Sequence, residues 1–232
     1  MRTQKTTLKR NKAINRPLNT TLTTLACMLA GLFPTYAQTA SLYGCQTSYL
    51  STDNANNCSA SVGLNQKIDG NVYGGYSSKG SANNNRVNIA HGINVSDSVI
   101  GGHSSEKEST HNEVIIGNNV QIGTGKYGGG VDGGSGYLGA RFNAVRIGEN
   151  TTVTGSVIGG IDGGNIQAIR NNIEIDVSSN SVHIGNNSKI TGSVTGGTGG
   201  KTASFNEVYI GNNVQIGHEI YYGNGSEIIT GG

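Results

Sequence analysis

The sequence lacks tryptophan altogether, and no proline follows Pro34. It also lacks an apolar period of 3.6 residues, so amphipathic helices are not expected. Its 38 glycines strengthen that exclusion, because glycine costs about 1 kcal/mol at each helical position. The glycines do not recur at every third position, which excludes a collagen triple helix.

Acidic residues are missing from the first seventeen positions, although six basic residues lie there. An apolar stretch from about Leu22 to Phe33 follows, and it is shorter than the roughly 20 apolar residues of a membrane-spanning helix. This pattern predicts a signal peptide with a long basic segment over residues 1–37, cleaved after Ala37 or, as the alternative, after Ala40. A transit peptide and lipoprotein attachment at Cys27 are other interpretations of this segment.

Cleavage changes the net charge, because it removes six of the 16 basic residues and none of the 14 acidic ones. The remaining chain has 10 basic and 14 acidic residues, a net charge of −4. Such a chain has no basic surface for nucleic acid and no polybasic membrane patch. We therefore expect no nucleic-acid partner.

Cysteine is scarce, and only Cys45 and Cys58 remain after cleavage. Two cysteines in an exported protein commonly form a disulfide, which would stabilise a loop of this size by about 3 kcal/mol. We assign residues 38–57 to an N-terminal cap segment with this possible Cys45–Cys58 disulfide. Two free thiols are the alternative.

One short phrase recurs through the rest of the chain. It reads Asn-x-Val-x-Ile and starts at Asn85, Asn112, Asn143, Asn180 and Asn206. A degenerate unit precedes these and starts near Cys58. Six units therefore fill residues 58–232, with starts near 58, 85, 112, 143, 180 and 206. A repeat of this length is typical of a solenoid.

Each unit predicts three short strands. Val114 and Ile116 alternate with variable residues, which indicates a strand with one buried face. A Gly-Asn-Asn turn precedes a second strand, and a third apolar segment ends in a glycine pair that we assign to a second corner. Stacked units would bury equivalent residues on one another, so we predict an all-β fold, a right-handed parallel β-helix of about six coils. A ladder of asparagine amides is expected seven residues after the start of the units: Asn119, Asn150, Asn187 and Asn213.

The phrase "GNVYGGYSSKGSANNNRVNIAHG", from Gly70 to Gly92, resembles the repeats of bacterial autotransporter passengers. The resemblance implies a β-helix that is carried across the outer membrane by a C-terminal β-barrel and commonly acts as an adhesin. It therefore implies a protein at the cell surface, attached to the outer membrane or secreted. This chain ends at Gly232 without the amphipathic strands of such a barrel. We expect contact with the membrane only through a missing β-barrel or a separate translocator.

Two other repeat folds share part of this sequence motif. The segment from Ile116 to Gly123 fits the hexapeptide phrase of left-handed β-helix acyltransferases, but glycine-rich breaks interrupt the hexads. The heads of trimeric autotransporter adhesins share the wording and have a shorter coil. Both remain alternatives.

Catalytic or metal-binding residues are hard to nominate. A polysaccharide lyase or hydrolase on a β-helix needs paired carboxylates on one face. The weak candidates are Asp132 and Asp162, which follow similar glycine-rich phrases and could approach one another across coils, or could only stabilise glycine turns. We expect no cofactor and no metal. The five histidines show no metal spacing and are expected to be solvated: His91, His103, His111, His183 and His218.

These observations favour a non-enzymatic surface protein. Its outward columns and variable loops would bind glycans or proteins of a host or of other bacteria, or mediate self-association. The loops are expected at about Ser104 to His111, Val131 to Phe142 and Ile161 to Ser179. A glycan-active enzyme that uses Asp132 and Asp162 is the alternative function, beside the hexapeptide-repeat acyltransferase.

Overall fold

The computed structural model of the chain describes residues 37–38, 40–64, 66–162, 175–199, 202–217, 220–221 and 227–230. The predicted signal peptide up to residue 36 and most of the predicted loop from Ile161 to Ser179 lie outside these ranges. Within them all regular elements are β-strands, and no helix is long and apolar enough to cross a membrane.

The strands form three parallel sheets of seven strands each. Sheet 1 contains β1 (Ala37–Gln38), β4 (Lys67–Ile68), β7 (Asn94–Val95), β10 (Gln121–Ile122), β13 (Thr152–Val153), β16 (Lys189–Ile190) and β19 (Gln215–Ile216). Sheet 2 contains β2 (Leu42–Gln46), β5 (Val72–Ser77), β8 (Val99–Ser104), β11 (Val131–Gly136), β14 (Val157–Asp162), β17 (Val194–Thr198) and β20 (Ile220–Tyr221). Sheet 3 contains β3 (Ser59–Val62), β6 (Arg86–Ile89), β9 (Glu113–Ile116), β12 (Ala144–Ile147), β15 (Ser181–Ile184), β18 (Glu207–Ile210) and β21 (Glu227–Thr230).

The chain visits the three sheets in turn, and each strand pairs in parallel with the strand one coil later. The fold is therefore a parallel β-helix of about six turns, which confirms the predicted fold class. The segment from Val131 to Phe142 was expected to be a loop but begins with strand β11. Its Val131 is fully buried and continues the core column of sheet 2, which explains the strand.

Equivalent core residues of successive coils lie directly above one another. Val114 pairs with Val145, Val145 with Val182, and Val182 with Val208. All four side chains are at most 1% exposed, as the alternation in the sequence predicts. Equivalent residues are separated by 31, 37 and 26 positions in these coils, with loops inside each coil. That spacing does not fit the uninterrupted hexads of a left-handed hexapeptide fold.

The buried asparagine ladder lies at a different position from the predicted one. The residues seven positions after the start of these units are exposed in the turns that follow the sheet 3 strands, where Asn119 has a φ of 58°. Asparagine accepts this left-handed conformation, so these residues form the turn; one step of the predicted ladder is present among them, from the Asn213 Nδ2 to the Asn187 Oδ1 at 3.2 Å. The ladder that runs through the core is formed by the first residue of each unit: Asn85, Asn112, Asn143, Asn180 and Asn206, each at most 1% exposed.

Hydrogen bonds join each ladder asparagine to the next coil. The Asn143 Oδ1 accepts hydrogen bonds from the backbone N–H and the Nδ2 of Asn112, both at 3.0 Å. The Asn143 Nδ2 donates to the Ser109 carbonyl at 3.0 Å and to the Asn180 Oδ1 at 3.1 Å. The buried backbone N–H and carbonyl groups of the segment between sheet 2 and sheet 3 thereby gain hydrogen-bond partners.

The glycine pairs lie in the middle of sheet 2 strands, so their predicted place at a corner is wrong. Gly101 and Gly102 are both within β8. A Cβ atom on Gly102 would lie 2.6 Å from the Asn112 Nδ2, and one on Gly134 would lie 2.6 Å from the Asn143 Nδ2. The glycines therefore leave the space that the ladder asparagines fill.

The first layer contains strands β1 and β2, which extend sheets 1 and 2 ahead of the first repeat. A disulfide joins Cys45 in β2 to Cys58, directly before β3, with a Cα–Cα distance of 5.7 Å. It links sheet 2 to sheet 3 at a sequence separation of 13.

Candidate functional site

The two aspartates singled out in the sequence lie on sheet 2 but are not brought together. Asp132 pairs in register with Ile158, whereas Asp162 pairs with Gly136. The two register positions are four residues apart, which is roughly 13 Å along a strand. Among the residues that the structure describes, no three His, Cys, Asp or Glu side chains form a group that could hold a metal ion.

Asp132 lies on the outward face of sheet 2 in an apolar column. Its register neighbours are Ile100 on one side and Ile158 on the other. Burial raises the pKa of the Asp132 carboxyl to about 6, because the charged form loses its hydration there. A lone carboxyl of this kind can accept or donate a proton near neutral pH, but lysis or hydrolysis of a glycan needs a second group.

Four aromatic rings cover the first layers of the same face. The rings of Tyr43 and Tyr73 are stacked with centroids 5.0 Å apart, and those of Tyr76 and His103 with centroids 5.1 Å apart. Tyr73 also meets Tyr76 edge to face at 5.4 Å. Burial raises the pKa of Tyr73 to about 12 and lowers that of His103. The aromatic cluster is thus partly desolvated and largely occupied with its own contacts.

A column of left-handed residues marks the corner before sheet 3. Each member of this column directly precedes the first residue of a repeat unit. We call the column the corner column. Its six members have φ between 55° and 59°: Asn57, Asn84, His111, Phe142, Ser179 and Phe205. This backbone conformation suits asparagine but is unusual for a bulky residue, for which it costs about 1–2 kcal/mol.

Two phenylalanines of the corner column point away from the core. Phe142 is 51% exposed and Phe205 is 76% exposed. The rings of His111 and Phe142 are stacked with centroids 4.8 Å apart and an interplanar angle of 21°. Neither core packing nor backbone preference accounts for phenylalanine at these positions. Strain of this kind is found at binding and catalytic sites, so the corner column is the strongest candidate site.

The outward face of sheet 3 begins beside this column and carries charged and aromatic groups. Glu113 forms ion pairs with both Arg86 and Arg146, which lie in the coils on either side. Two coils further, the rings of His183 and Tyr209 are stacked with centroids 4.2 Å apart. Burial and the nearby Arg146 lower the pKa of His183.

His91 and His111 are exposed, as the sequence predicts, whereas His103 and His183 are partly buried. His103, His111 and His183 each stack on an aromatic ring of a neighbouring coil. Stacking follows from the parallel register, which places residues of equivalent position about 4.8 Å apart. His218 lies outside the described residues.

A polar cleft of about 520 Å³ opens among the loops that lead from sheet 2 to sheet 3 in the first three coils. Its charged side chains come from Lys79, Glu106, Lys107 and Glu108, and Thr52 and Asn54 complete one wall. Two lysines and two glutamates balance one another in the cleft, so its net charge favours neither anions nor cations as ligands.

No protein-family model matches this chain, and no curated protein or solved structure is significantly similar to it.

Proposed function

We propose that this chain is a non-catalytic surface protein, exported and displayed like an autotransporter passenger, which binds glycans or proteins or associates with its own kind. The observation that carries the proposal is the exposure of Phe142 and Phe205 at strained corner positions of a stacked core. Large exposed aromatic side chains are characteristic of binding surfaces. The basic segment at the start of the sequence and the apolar stretch after it support export, and the repeated sequence motif supports the passenger class.

The β-helix suits this function because its core fixes the outward positions. The five corner residues from Asn57 to Ser179 each donate a backbone hydrogen bond to the following coil, such as the bond of 3.1 Å from the Phe142 N–H to the Ser178 carbonyl. Contacts placed on such a scaffold are preorganised and lose little conformational freedom on binding. Repetition along the helix also offers a ligand several contacts at once, which raises the effective affinity.

Adhesion tests this proposal directly. The full chain is expressed with its own signal, the exported product is coated on fluorescent beads, and attachment to epithelial monolayers and to beads coated with the same product is counted. We expect attachment that rises with coating density, against heat-unfolded product as the control. Attachment no greater than that of the control, on both surfaces, would overturn the proposal.

The rival enzymatic function is measured on the same preparation. Release of reducing ends from acidic and neutral polysaccharides is compared between the wild type and an Asp132→Asn, Asp162→Asn double variant. We expect no release from either protein, since the register holds the two carboxyls apart. Release that the double variant loses would instead establish a glycan-active enzyme.

A further inference from the structure

The corner column contains a gap in its series of rings. His111, Phe142, Ser179 and Phe205 occupy four successive coils at the same backbone position, and Ser179 is the member without a ring. Successive coils are about 4.8 Å apart, so the backbone positions of the two phenylalanines are roughly 9.6 Å apart.

Ring stacking in the neighbouring coils shows which spacing this corner accommodates. The centroids of His111 and Phe142 are 4.8 Å apart and their planes are nearly parallel. This distance equals the separation of the coils, so both rings lie across the axis of the column. One face of the Phe142 ring therefore contacts His111, and the opposite face is turned toward the layer of Ser179.

We propose that the gap above Ser179 binds one hexopyranose ring of a neutral glycan, stacked between Phe142 and Phe205. A ring placed midway between the two would be about 4.8 Å from each, the spacing already found between His111 and Phe142. The apolar C–H face of a pyranose packs on phenyl rings, as other apolar groups do. This inference rests on the binding function proposed above and names the ligand class of that site.

Polar residues lie on both sides of the corner column along the chain, as recognition of hydroxyl groups requires. On the loop side, the guanidinium of Arg141 lies 3.9 Å from the Asp176 carboxylate. On the side of sheet 3, the next outward residues along the chain are Ser181 and Glu207, and the Glu207 carboxylate accepts a hydrogen bond of 2.9 Å from Tyr209. A sugar offers hydroxyls that both donate and accept, and therefore fits these groups better than a purely apolar side chain does.

The charge around the gap favours a neutral sugar over an acidic one. The positive charge of Arg141 is matched by Asp176, which leaves Glu207 as the unbalanced charge among these groups. A uronic or sialic acid would bring a second negative charge to the carboxylate, and like charges at short range repel each other.

Filling the gap is the sharpest test. In Ser179→Phe the new side chain takes the place of the sugar, and the fold should tolerate it because Phe142 and Phe205 hold the same φ of 55°. Asn84→Phe is the matched control, since it adds the same ring to the corner column away from the gap. Phe142→Asn and Phe205→Asn each remove one flanking ring and install the residue that the column already has at Asn57 and Asn84.

Binding of methyl glycosides of galactose, glucose and N-acetylglucosamine to the exported chain is measured by saturation-transfer NMR, with tyrosine amide as a competitor. We expect at least one glycoside to bind the wild type and Asn84→Phe equally. Ser179→Phe should abolish that binding, and each asparagine variant should weaken it about tenfold, the order expected for one lost ring contact.

Three results would overturn the inference. The first is equal glycoside binding by the wild type and Ser179→Phe. The second is displacement of the bound glycosides by tyrosine amide at a lower concentration than a competing glycoside requires, which would show a site for a protein side chain. The third is attachment of chain-coated beads to cells with no glycoside binding, which leaves the proposed function standing and rejects only the sugar. Failure of both bead attachment and glycoside binding would reject the two together.

Discussion

Replacing Asn143 with alanine removes one complete step of the asparagine ladder. The side chain is 1% exposed and makes four hydrogen bonds, two through each end of its amide. In Asn143→Ala the Asn112 N–H and the Ser109 carbonyl lose these partners inside the protein. An unpaired buried group costs about 1–3 kcal/mol, so we expect the free energy of unfolding to fall by about 4 kcal/mol.

Urea unfolding followed by circular dichroism measures the loss, and hydrogen exchange of the Asn112 amide locates it. Asn150→Gly is the control, because Asn150 is an exposed asparagine with a φ of 53° in a turn, a conformation that glycine accepts. Its free energy of unfolding should change by less than about 0.5 kcal/mol. Equal losses from the two variants would refute the structural role assigned to the buried ladder.

A second substitution at the same position separates the hydrogen bonds from the packing. Asn143→Asp keeps the shape and one acceptor, but its second oxygen faces the Ser109 carbonyl and the Asn180 Oδ1, which are both acceptors. The carboxyl should therefore have a raised pKa in the folded state. Stability should be lowest at neutral pH and recover as the pH falls and the carboxyl becomes protonated. A variant whose stability does not improve on acidification, relative to the wild type, would contradict this account.

Three other perturbations have defined outcomes. Ile147→Asp should unfold the coils around it, because it buries a charge at a position that is 4% exposed. Arg146→Ser changes an outward residue and should lower the free energy of unfolding by less than about 0.5 kcal/mol. Similar urea midpoints for the two variants would reject the assigned alternation of buried and outward residues. The folded-state pKa of Asp132, about 6, lies above its unfolded value, so the wild type loses stability as the pH rises from about 4 to 6. Asp132→Asn should therefore be more stable than the wild type above pH 6, by at most about 3 kcal/mol, and should lose that advantage below pH 4. A stability difference that does not depend on pH would contradict this prediction. Reduction of the Cys45–Cys58 disulfide should lower the free energy of unfolding by about 3 kcal/mol and raise the rate of amide hydrogen exchange, chiefly in the first layer. Unchanged exchange rates in β2 and β3 would show that the disulfide does not restrain this layer.

The architecture was predictable because burial leaves a period of two in the sequence. Val114 and Ile116, with their counterparts in later units, alternate with residues that differ freely, and the structure leaves the variable residues more accessible to solvent than the constant ones. Repetition added the register, since a parallel β-helix places equivalent residues on one another. The sequence of one unit would not have been sufficient for this prediction.

The roles of glycine and asparagine were harder to predict, since both residues suit turns as well as close packing. The glycine pair of each unit looked like a corner, yet Gly102 and Gly134 lie within strands and admit the ladder side chains. One signal could have located the ladder correctly. The first asparagine is present in all five regular units, whereas the residue seven positions after Asn85 is Gly92.

The predicted binding loops end at His111, Phe142 and Ser179, but the corner residues themselves were not singled out, because a lone phenylalanine in a sequence is most simply read as a core residue. Phe142 and Phe205 precede a ladder asparagine, where His111 and Ser179 stand in other units. That exchange of polar for aromatic residues at one position was visible and indicates an exposed location. The left-handed backbone and the spacing of the rings could be learned only from three-dimensional coordinates.

The asparagine ladder also bears on how such a protein changes its length over evolutionary time. From Asn112 to Asn180, each ladder asparagine is joined by equivalent hydrogen bonds to the coils before and after it, and each matches a glycine pair from its own coil. A duplicated or deleted coil would bring or remove both halves of that arrangement together, and the two edges that then meet would be compatible. Recombination between neighbouring repeats can therefore yield longer and shorter descendants that still fold, while each corner remains free to acquire a new side chain.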